Sequence, residues 1–317
     1  MIPSSIALVA VSLSLLSPTD LDAPVCPEIE VRGTGPTTVL VIPAMSARWQ
    51  VWEGFMDRNA DRYTTWAVTP PGFAGAPVPD LPIDAPVGTP WTDHAVQAVE
   101  RVLQENDLKD VVLLGHSWGS GIAIHIANRN PDRIRAIINT DGMVSTSIDW
   151  ESKPETWRSE ADKEISQWRE RFNDPEEWAS FNGWRDPPDL TRRSHMVYGM
   201  NMSTPKEVVL QCWREMWLWD LNPMLRSLQI PVLDIRALRS SDSDPENTRA
   251  QYLERLDDIG VPDSHHAVFL YDTRHAVEGQ RPDVFDRLVA EFLEGETPSD
   301  WRPSSNKHQA VDPGPTS

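Results

Sequence analysis

The sequence predicts a mainly parallel, doubly wound α/β sheet that is interrupted by one helical insertion. Short β-branched apolar runs recur along the chain, and helical patterns separate most of them. Between about residues 146 and 228 this alternation stops, and only helical patterns are found. Strands that alternate with helices form parallel sheets that are covered on both faces, which is the reason for this fold class.

The predicted strands are short apolar runs, several of which end at Pro or Gly. They are residues 37–42, 64–68, 111–114, 134–138, 232–235 and 267–271. Helices are predicted at residues 91–106, 119–130 and 282–293. The last helix carries Val284, Leu288, Val289 and Phe292 at a spacing that gives it one buried face.

The chain is therefore divided into a core, an insertion and two terminal segments. The core comprises residues 24–145 and 229–296, and the helical insertion comprises residues 146–228. Residues 297–317 are rich in Pro, Ser and Asp and are predicted to be disordered.

Residues 1–23 contain a short apolar run that is followed by Ser17 and Pro18. The run has the length of a signal-peptide core and is too short to cross a bilayer as a helix. No Lys or Arg precedes it, so a buried first strand is the alternative. We expect a secreted or periplasmic protein if the segment is a signal peptide, and a cytoplasmic protein otherwise.

The composition argues against nucleic acid as a partner. The 317 residues carry a formal net charge of −19, and phosphate binding needs clustered Lys and Arg. Stable membrane insertion is not expected either, and a small molecule is the expected partner. Only Cys26 and Cys212 are present, so no cofactor or metal cluster is predicted, although one disulfide is possible.

The helical insertion is unusually rich in tryptophan. An insertion at the carboxyl edge of a parallel sheet is expected to lie over the active site as a cap. We expect most of these residues to form the core of the cap and one or two to face the substrate. They are Trp150, Trp157, Trp168, Trp178, Trp184, Trp213, Trp217 and Trp219.

The strongest motif is Gly-His-Ser-Trp-Gly at residues 115–119, which fits G-x-S-x-G. It follows the predicted strand at 111–114 and precedes a predicted helix, as a nucleophile elbow requires. In that context Ser117 is predicted to stand exposed at the carboxyl edge of the sheet as a covalent nucleophile. The backbone N–H of Trp118 is then one expected oxyanion donor, and that of Met45, after the first predicted strand, is the other.

A serine hydroxyl needs a general base, and His275 is the best candidate among eight histidines. It follows the last predicted strand, so it belongs to the same edge as Ser117. His265 and His266 precede that strand and are expected at the opposite edge, on the surface. His116 is expected to have a structural role.

The carboxylate that would hold the base has two candidates. Asp141 comes just after the strand at 134–138, and Asp242 lies in the loop after the strand at 232–235. Both loops open at the same edge. The geometry favours Asp141, because Asp242 lies late in a long loop.

The ordered segments VIPAMSARWQVW, VTPPGFAGAP, GHSWG, INTDG and TRHAVEG resemble a group of mostly secreted bacterial serine hydrolases of the α/β-hydrolase fold superfamily. That group has an I-P-x-x-S oxyanion loop, and its helical cap follows strand 6 in the family numbering. The resemblance implies that Asp141 and His275 match the family's acid and base. Ala44 stands where the family usually has Gly.

The resulting expectation is hydrolysis of a carboxylic ester of a small to medium hydrophobic substrate through an acyl-enzyme. Amide, lactone or carbon–carbon bond cleavage and acyl transfer use the same machinery and stay open as alternatives. A non-catalytic ligand-binding protein on this scaffold is a third possibility. The elbow also resembles that of haloalkane dehalogenases, but Ser117 stands where those enzymes have a nucleophilic Asp.

Overall fold

A computed structural model describes residues 27–83, 88–142, 154–181, 192–239 and 244–302. The predicted signal peptide, Cys26 and Asp242 lie outside these residues. The described strands are β1 (Glu28–Arg32), β2 (Thr37–Ile42), β3 (Tyr63–Thr69), β4 (Val111–His116), β5 (Ile134–Thr140), β6 (Val232–Leu238) and β7 (His265–Tyr271).

The described strands form one sheet in the order β1-β3-β2-β4-β5-β6-β7. Only β1 runs antiparallel to its neighbour, and every other pair is parallel. The mainly parallel sheet confirms the predicted fold class. β1 was not predicted, because its sequence EIEVR alternates charged residues with apolar ones that remain partly exposed at the edge of the sheet.

Most of the described helices lie between strands along the chain, and the last two follow β7. A single turn of 3-10 helix, Trp49–Trp52, precedes the first helix. The described helices are α1 (Glu53–Arg58), α2 (Pro90–Glu105), α3 (Trp118–Arg129), α4 (Pro154–Arg171), α5 (Pro175–Phe181), α6 (Arg192–Ser203), α7 (Lys206–Leu218), α8 (Asn222–Ser227), α9 (Pro245–Ile259), α10 (Val277–Gln280) and α11 (Pro282–Leu293).

Both faces of the sheet are buried. Along β2, Leu40 and Ile42 pack into one apolar cluster, while Val39 and Val41 pack into another on the opposite face. This alternation follows from the two-residue period of a strand. It explains why the four buried residues of the strand, 39–42, are all apolar rather than only every second one.

Helices α4 to α8 lie between β5 and β6, where the insertion was predicted. The insertion therefore follows the fifth described strand, whereas in the family numbering the cap follows strand 6. Trp168, Trp178 and Trp213 are partly buried against a separate apolar cluster of the insertion. Trp219 differs, because it is buried in the main core and its Nε1 donates to Thr92 Oγ1 at 3.0 Å.

The insertion is joined to the core by a buried carboxylate. Glu215 on α7 is fully buried and accepts hydrogen bonds from the backbone N–H groups of Trp91 and Thr92, at 3.0 and 2.7 Å. These donors belong to the first turn of α2, where N–H groups have no partner within the helix. The contact therefore caps a core helix with a side chain of the insertion.

The prediction of disorder from residue 297 is wrong for residues 297–302. The N–H of Trp301 donates to Phe269 and its carbonyl accepts from Tyr271, so this segment pairs with the free edge of β7. Asp300 also accepts a hydrogen bond from the N–H of Phe269. Composition suggested disorder, but an open strand edge offers backbone partners that composition does not reveal.

Candidate active site

Ser117 occupies a strained turn between β4 and α3. Its backbone has φ 54° and ψ −117°, a conformation that L-residues rarely adopt. The turn is held because the N–H of Ser117 donates to the carbonyl of Thr140 and the N–H of Ser120 donates back to Ser117, each at 3.0 Å. A sharp strand-to-helix turn of this kind is the geometry that a nucleophile elbow requires.

Two glycines let the backbone approach closely around this turn. A Cβ at Gly115 would lie 2.5 Å from the carbonyl oxygen of Gly119. A Cβ at Gly119 would lie 2.4 Å from the carbonyl oxygen of Ile42 and 2.6 Å from that of Pro43. The start of α3 therefore lies directly against the end of β2 and the loop that contains Met45.

Asp141 is held by β6 on two sides. Its N–H donates to the carbonyl of Ile235 at 2.7 Å, and its Oδ1 accepts from the N–H of Ala237 at 3.1 Å. Nη2 of Arg236 lies 3.7 Å from the same oxygen. The acidic side chain is therefore fixed by the end of the neighbouring strand.

His275 meets Asp141 directly. Nδ1 of His275 donates to Oδ2 of Asp141 at 2.7 Å. Burial alone would raise the pKa of the Asp141 carboxyl, but the hydrogen bond from His275 and the charge of Arg236 lower that pKa to about 2. The carboxylate is therefore ionised at neutral pH and can hold the imidazole with its proton on Nδ1.

His116 holds the backbone of His275. Nε2 of His116 donates to the carbonyl of His275 at 2.9 Å, and the two rings lie 4.7 Å apart between centroids. Burial lowers the pKa of His116, so this ring is neutral and acts as a donor. The residue next to Ser117 in the chain thus fixes the loop that carries His275.

The structure brings Asp141 and His275 together and places both beside the elbow. Within the described part of the chain, the Ser117 hydroxyl makes no hydrogen bond, so a Ser117–His275 bond is not formed. Such contacts often tighten only when substrate is bound. The side chain of His275 is 45% exposed, so part of the ring is accessible from solvent.

Trp118 and Met45 are the two residues whose N–H groups are expected to be oxyanion donors. Trp118 is the first residue of α3, so its N–H has no partner within the helix. Met45 is partly buried against the core in the loop after β2. Ser46, the next residue, has φ 65°, so this loop also contains a left-handed residue.

One histidine assignment is wrong. His265 is not a surface residue: its side chain is 1% exposed, and its Nε2 lies 2.6 Å from Oδ2 of Asp234. It begins β7 rather than preceding it. The partner is 31 residues away in the chain, so the sequence gives no local signal for this burial.

One apolar cavity of the described insertion lies apart from this site. It has a volume of about 210 Å³ and is lined by aromatic and aliphatic residues of α4, α5 and α7, among them Trp168, Trp213 and Trp217. Neither Ser117 nor His275 lines it.

Among the helices that the structure describes, none combines the length and the apolar character that a membrane span needs.

A family model described as alpha/beta hydrolase fold matches residues 37–276. The chain belongs to this family. The matched region runs from the first residue of β2 to just beyond His275, so it contains the elbow, Asp141 and the insertion. The family assignment agrees with the sheet order and with the strand-turn-helix context of Ser117.

Two curated relatives of this α/β hydrolase are similar over 113 residues, or 35% of its chain. Lipase LipV of Mycobacterium tuberculosis is 28% identical, and the 2-hydroxymuconate semialdehyde hydrolase of Pseudomonas sp. strain CF600 is 29% identical. The matches cover 40% and 35% of those proteins, so the chain spans less than half the length of these relatives.

Among solved structures, the enol-lactonase from Burkholderia xenovorans LB400 superposes with a TM-score of 0.63 at 17% sequence identity. The superposition covers 84% of this chain and 96% of that chain. At this level of identity the likeness shows a shared fold and does not indicate a substrate.

Proposed function

We propose that this α/β hydrolase cleaves carboxylic esters of small to medium hydrophobic substrates through an acyl-enzyme. The observation that carries the proposal is the 2.7 Å contact between His275 Nδ1 and Asp141 Oδ2 beside the strained turn of Ser117. A serine becomes nucleophilic when an oriented imidazole removes its proton.

The reaction begins when Oγ of Ser117 attacks the ester carbonyl carbon and its proton passes to Nε2 of His275. Asp141 stabilises the resulting imidazolium through Nδ1–H. His275 then protonates the leaving alcohol oxygen, and the acyl group remains on Ser117. Water, deprotonated by His275, attacks the acyl carbon, and His275 returns that proton to Oγ of Ser117 as the acid is released.

The charge that develops on the carbonyl oxygen needs donors that are already in place. We assign this role to the backbone N–H groups of Trp118 and Met45. The close packing of Gly119 on the carbonyls of Ile42 and Pro43 supports the assignment, because it holds the start of α3 against the loop after β2.

A hydrophobic substrate is suggested by the aromatic insertion, which we assign as a cap of residues 146–228. Thr204, the residue after α6, supports this placement. Its Oγ1 accepts a hydrogen bond from the N–H of Ala74, at 2.8 Å, in the loop after β3 at the carboxyl edge of the sheet. This contact joins the insertion to the edge that carries Ser117.

The decisive experiment is covalent labelling with a fluorophosphonate, followed by peptide mass spectrometry. We expect one label per chain on Ser117 and none in Ser117→Ala. Ser120→Ala is the matched control, since it removes the next hydroxyl of the same turn, and it should keep the label. An unlabelled wild-type protein would refute the nucleophile assignment and leave a ligand-binding protein as the better description.

The bond type is tested separately with a panel of p-nitrophenyl esters, lactones, anilides and carbon–carbon substrates. We expect a burst of p-nitrophenol equal to the enzyme concentration, followed by slower turnover. Faster turnover of another class would show that the ester assignment is wrong, even with Ser117 labelled.

A further inference from the structure

Arg236 on β6 is in contact with the turn that carries the acid. Nη2 of Arg236 lies 3.7 Å from Oδ1 of Asp141, and Nη1 donates a hydrogen bond to the carbonyl of Gly142. Its guanidinium also stacks on Tyr252 of α9, 4.7 Å from the ring centroid. One side chain therefore contacts both residues of the turn after β5.

A buried carboxylate fixes the ring on which Arg236 stacks. Asp234, two residues earlier on the same face of β6, is fully buried and accepts from the hydroxyl of Tyr252 at 2.9 Å. Its Oδ1 accepts from Asn139 Nδ2 at 2.8 Å, and His265 Nε2 lies 2.6 Å from Oδ2, the oxygen that also accepts from Tyr252. These contacts tie Tyr252 to three strands of the sheet.

We propose that Arg236 is a positioning residue of this site: it holds the Asp141–Gly142 turn in place and keeps the Asp141 carboxylate ionised and directed at His275. The inference rests on the proposed function, because it concerns the same Asp141–His275 pair. Arg236 does not contact the bond being broken and acts only through Asp141.

The charges around Arg236 explain why its own charge matters. The carboxylates of Asp141 and Asp234 face it from β5 and β6, and the phenol of Tyr252 faces it from α9. The two imidazoles, His265 and His275, are bonded to these carboxylates. Without the guanidinium, two carboxylates would share the region with only the imidazoles, so protonation of the Asp141–His275 pair would become easier.

A purely structural role makes a different prediction. An arginine that only supports a loop carbonyl would lower thermal stability when replaced but would leave the pH profile of the reaction unchanged. Arg226 provides that comparison, because its Nε donates to the carbonyl of Ile259 at 2.9 Å, outside the proposed site. Arg226→Met is therefore the matched control for Arg236→Met.

The test measures kcat and KM for a p-nitrophenyl ester between pH 4 and 9, together with the rate of fluorophosphonate labelling. For Arg236→Met we expect kcat to fall by about 10–100-fold with KM within about threefold, because a slightly misplaced catalytic group slows the reaction strongly. The acid limb, which is the fall of kcat on the acidic side of its pH profile, should occur about one pH unit higher than in the wild type. Arg236→Lys keeps the positive charge, so its acid limb should occur at the wild-type pH.

An Arg236→Met enzyme with wild-type kcat, labelling rate and acid limb would overturn the inference while leaving the nucleophile assignment intact. A wild-type enzyme that is not labelled at Ser117 would overturn both. If Arg236→Met does not fold, Arg236→Gln carries the same test, since it is also neutral but keeps a donor for the Gly142 carbonyl. An upward shift of the acid limb in Arg226→Met as well would also reject the inference.

Discussion

Replacing Gly119 by Ala tests whether the close approach of α3 to the loop after β2 sets the position of the proposed oxyanion donors. The added Cβ would lie 2.4 Å from the carbonyl oxygen of Ile42 and 2.6 Å from that of Pro43, whereas real Cβ contacts essentially never fall below 3.0 Å. Both obstacles are backbone atoms, so no flexible side chain can relieve the clash.

The start of α3 and the loop must therefore separate by roughly half an ångström or more, and the N–H groups of Trp118 and Met45 would separate with them. Misplacement of about 1 Å can slow catalysis by about 10²-fold, and one lost oxyanion donor costs about 10²–10³-fold. We expect kcat for Gly119→Ala to fall by about 10–100-fold. Overpacking should also lower the free energy of unfolding by about 1–3 kcal/mol.

The assay compares steady-state ester hydrolysis with urea unfolding for wild type, Gly119→Ala and Gly199→Ala. Gly199 lies on α6, and a Cβ there would meet no described atom within 4 Å. This control should keep wild-type activity and gain up to about 1 kcal/mol, because Ala is the better helix former. A Gly119→Ala enzyme with activity within about twofold of wild type would refute the reasoning.

Three further predictions concern the acid, the insertion and the terminal segment. Asp141→Asn should lower kcat by about 10⁴-fold at neutral pH through loss of the correct imidazole tautomer. In urea unfolding, the difference in the free energy of unfolding between wild type and Asp141→Asn should be largest at pH values above 3.8, the ordinary pKa of the carboxyl group. It should shrink as the pH falls toward 2, because the pKa of Asp141 is lowered in the folded protein. A constant difference across that range would contradict this assignment. Glu215→Ala leaves two buried N–H groups of α2 without an acceptor and should cost about 2–4 kcal/mol in thermal unfolding, and an unchanged melting temperature would argue against the anchoring role. Deleting residues 297–317 removes the Trp301 pairing and should lower the melting temperature, whereas deleting only 303–317 should have a smaller effect.

The elements that the sequence predicts best are those with an apolar pattern of their own. The strand at 37–42 and the helix at 282–293 have the predicted bounds in the structure. The strand is a β-branched run followed by Pro43, and the helix has apolar residues at helical spacing. α9 was not predicted, because its sequence is largely polar and buries only Leu256 and Ile259.

The site itself could be predicted only in part. Ser117 and His275 follow from local context, since each lies just after a strand at the carboxyl edge. The choice between Asp141 and Asp242 was open, because both loops reach that edge and only the folded chain decides which carboxylate meets the imidazole. The described residues show Asp141 at His275, and Asp242 lies outside them.

Arg236 and His265 were missed for a common reason. Their partners are Asp141, 95 residues earlier, and Asp234, 31 residues earlier, so no local spacing marks the contact. The presence of two charged residues, Asp234 and Arg236, inside one short strand is a sequence signal that could have drawn attention to Arg236. Such a residue is rarely buried without a partner of opposite charge.

The distance along the sequence between Asp141 and His275 also affects how the protein gains activity during folding. These residues lie 134 positions apart, and the whole insertion is synthesised between them. Contacts of such long range form slowly, because a large loop must close before they can contribute. We expect helix formation, followed by circular dichroism, to precede the recovery of fluorophosphonate labelling at Ser117 during refolding, so that labelling reports the last stage of assembly.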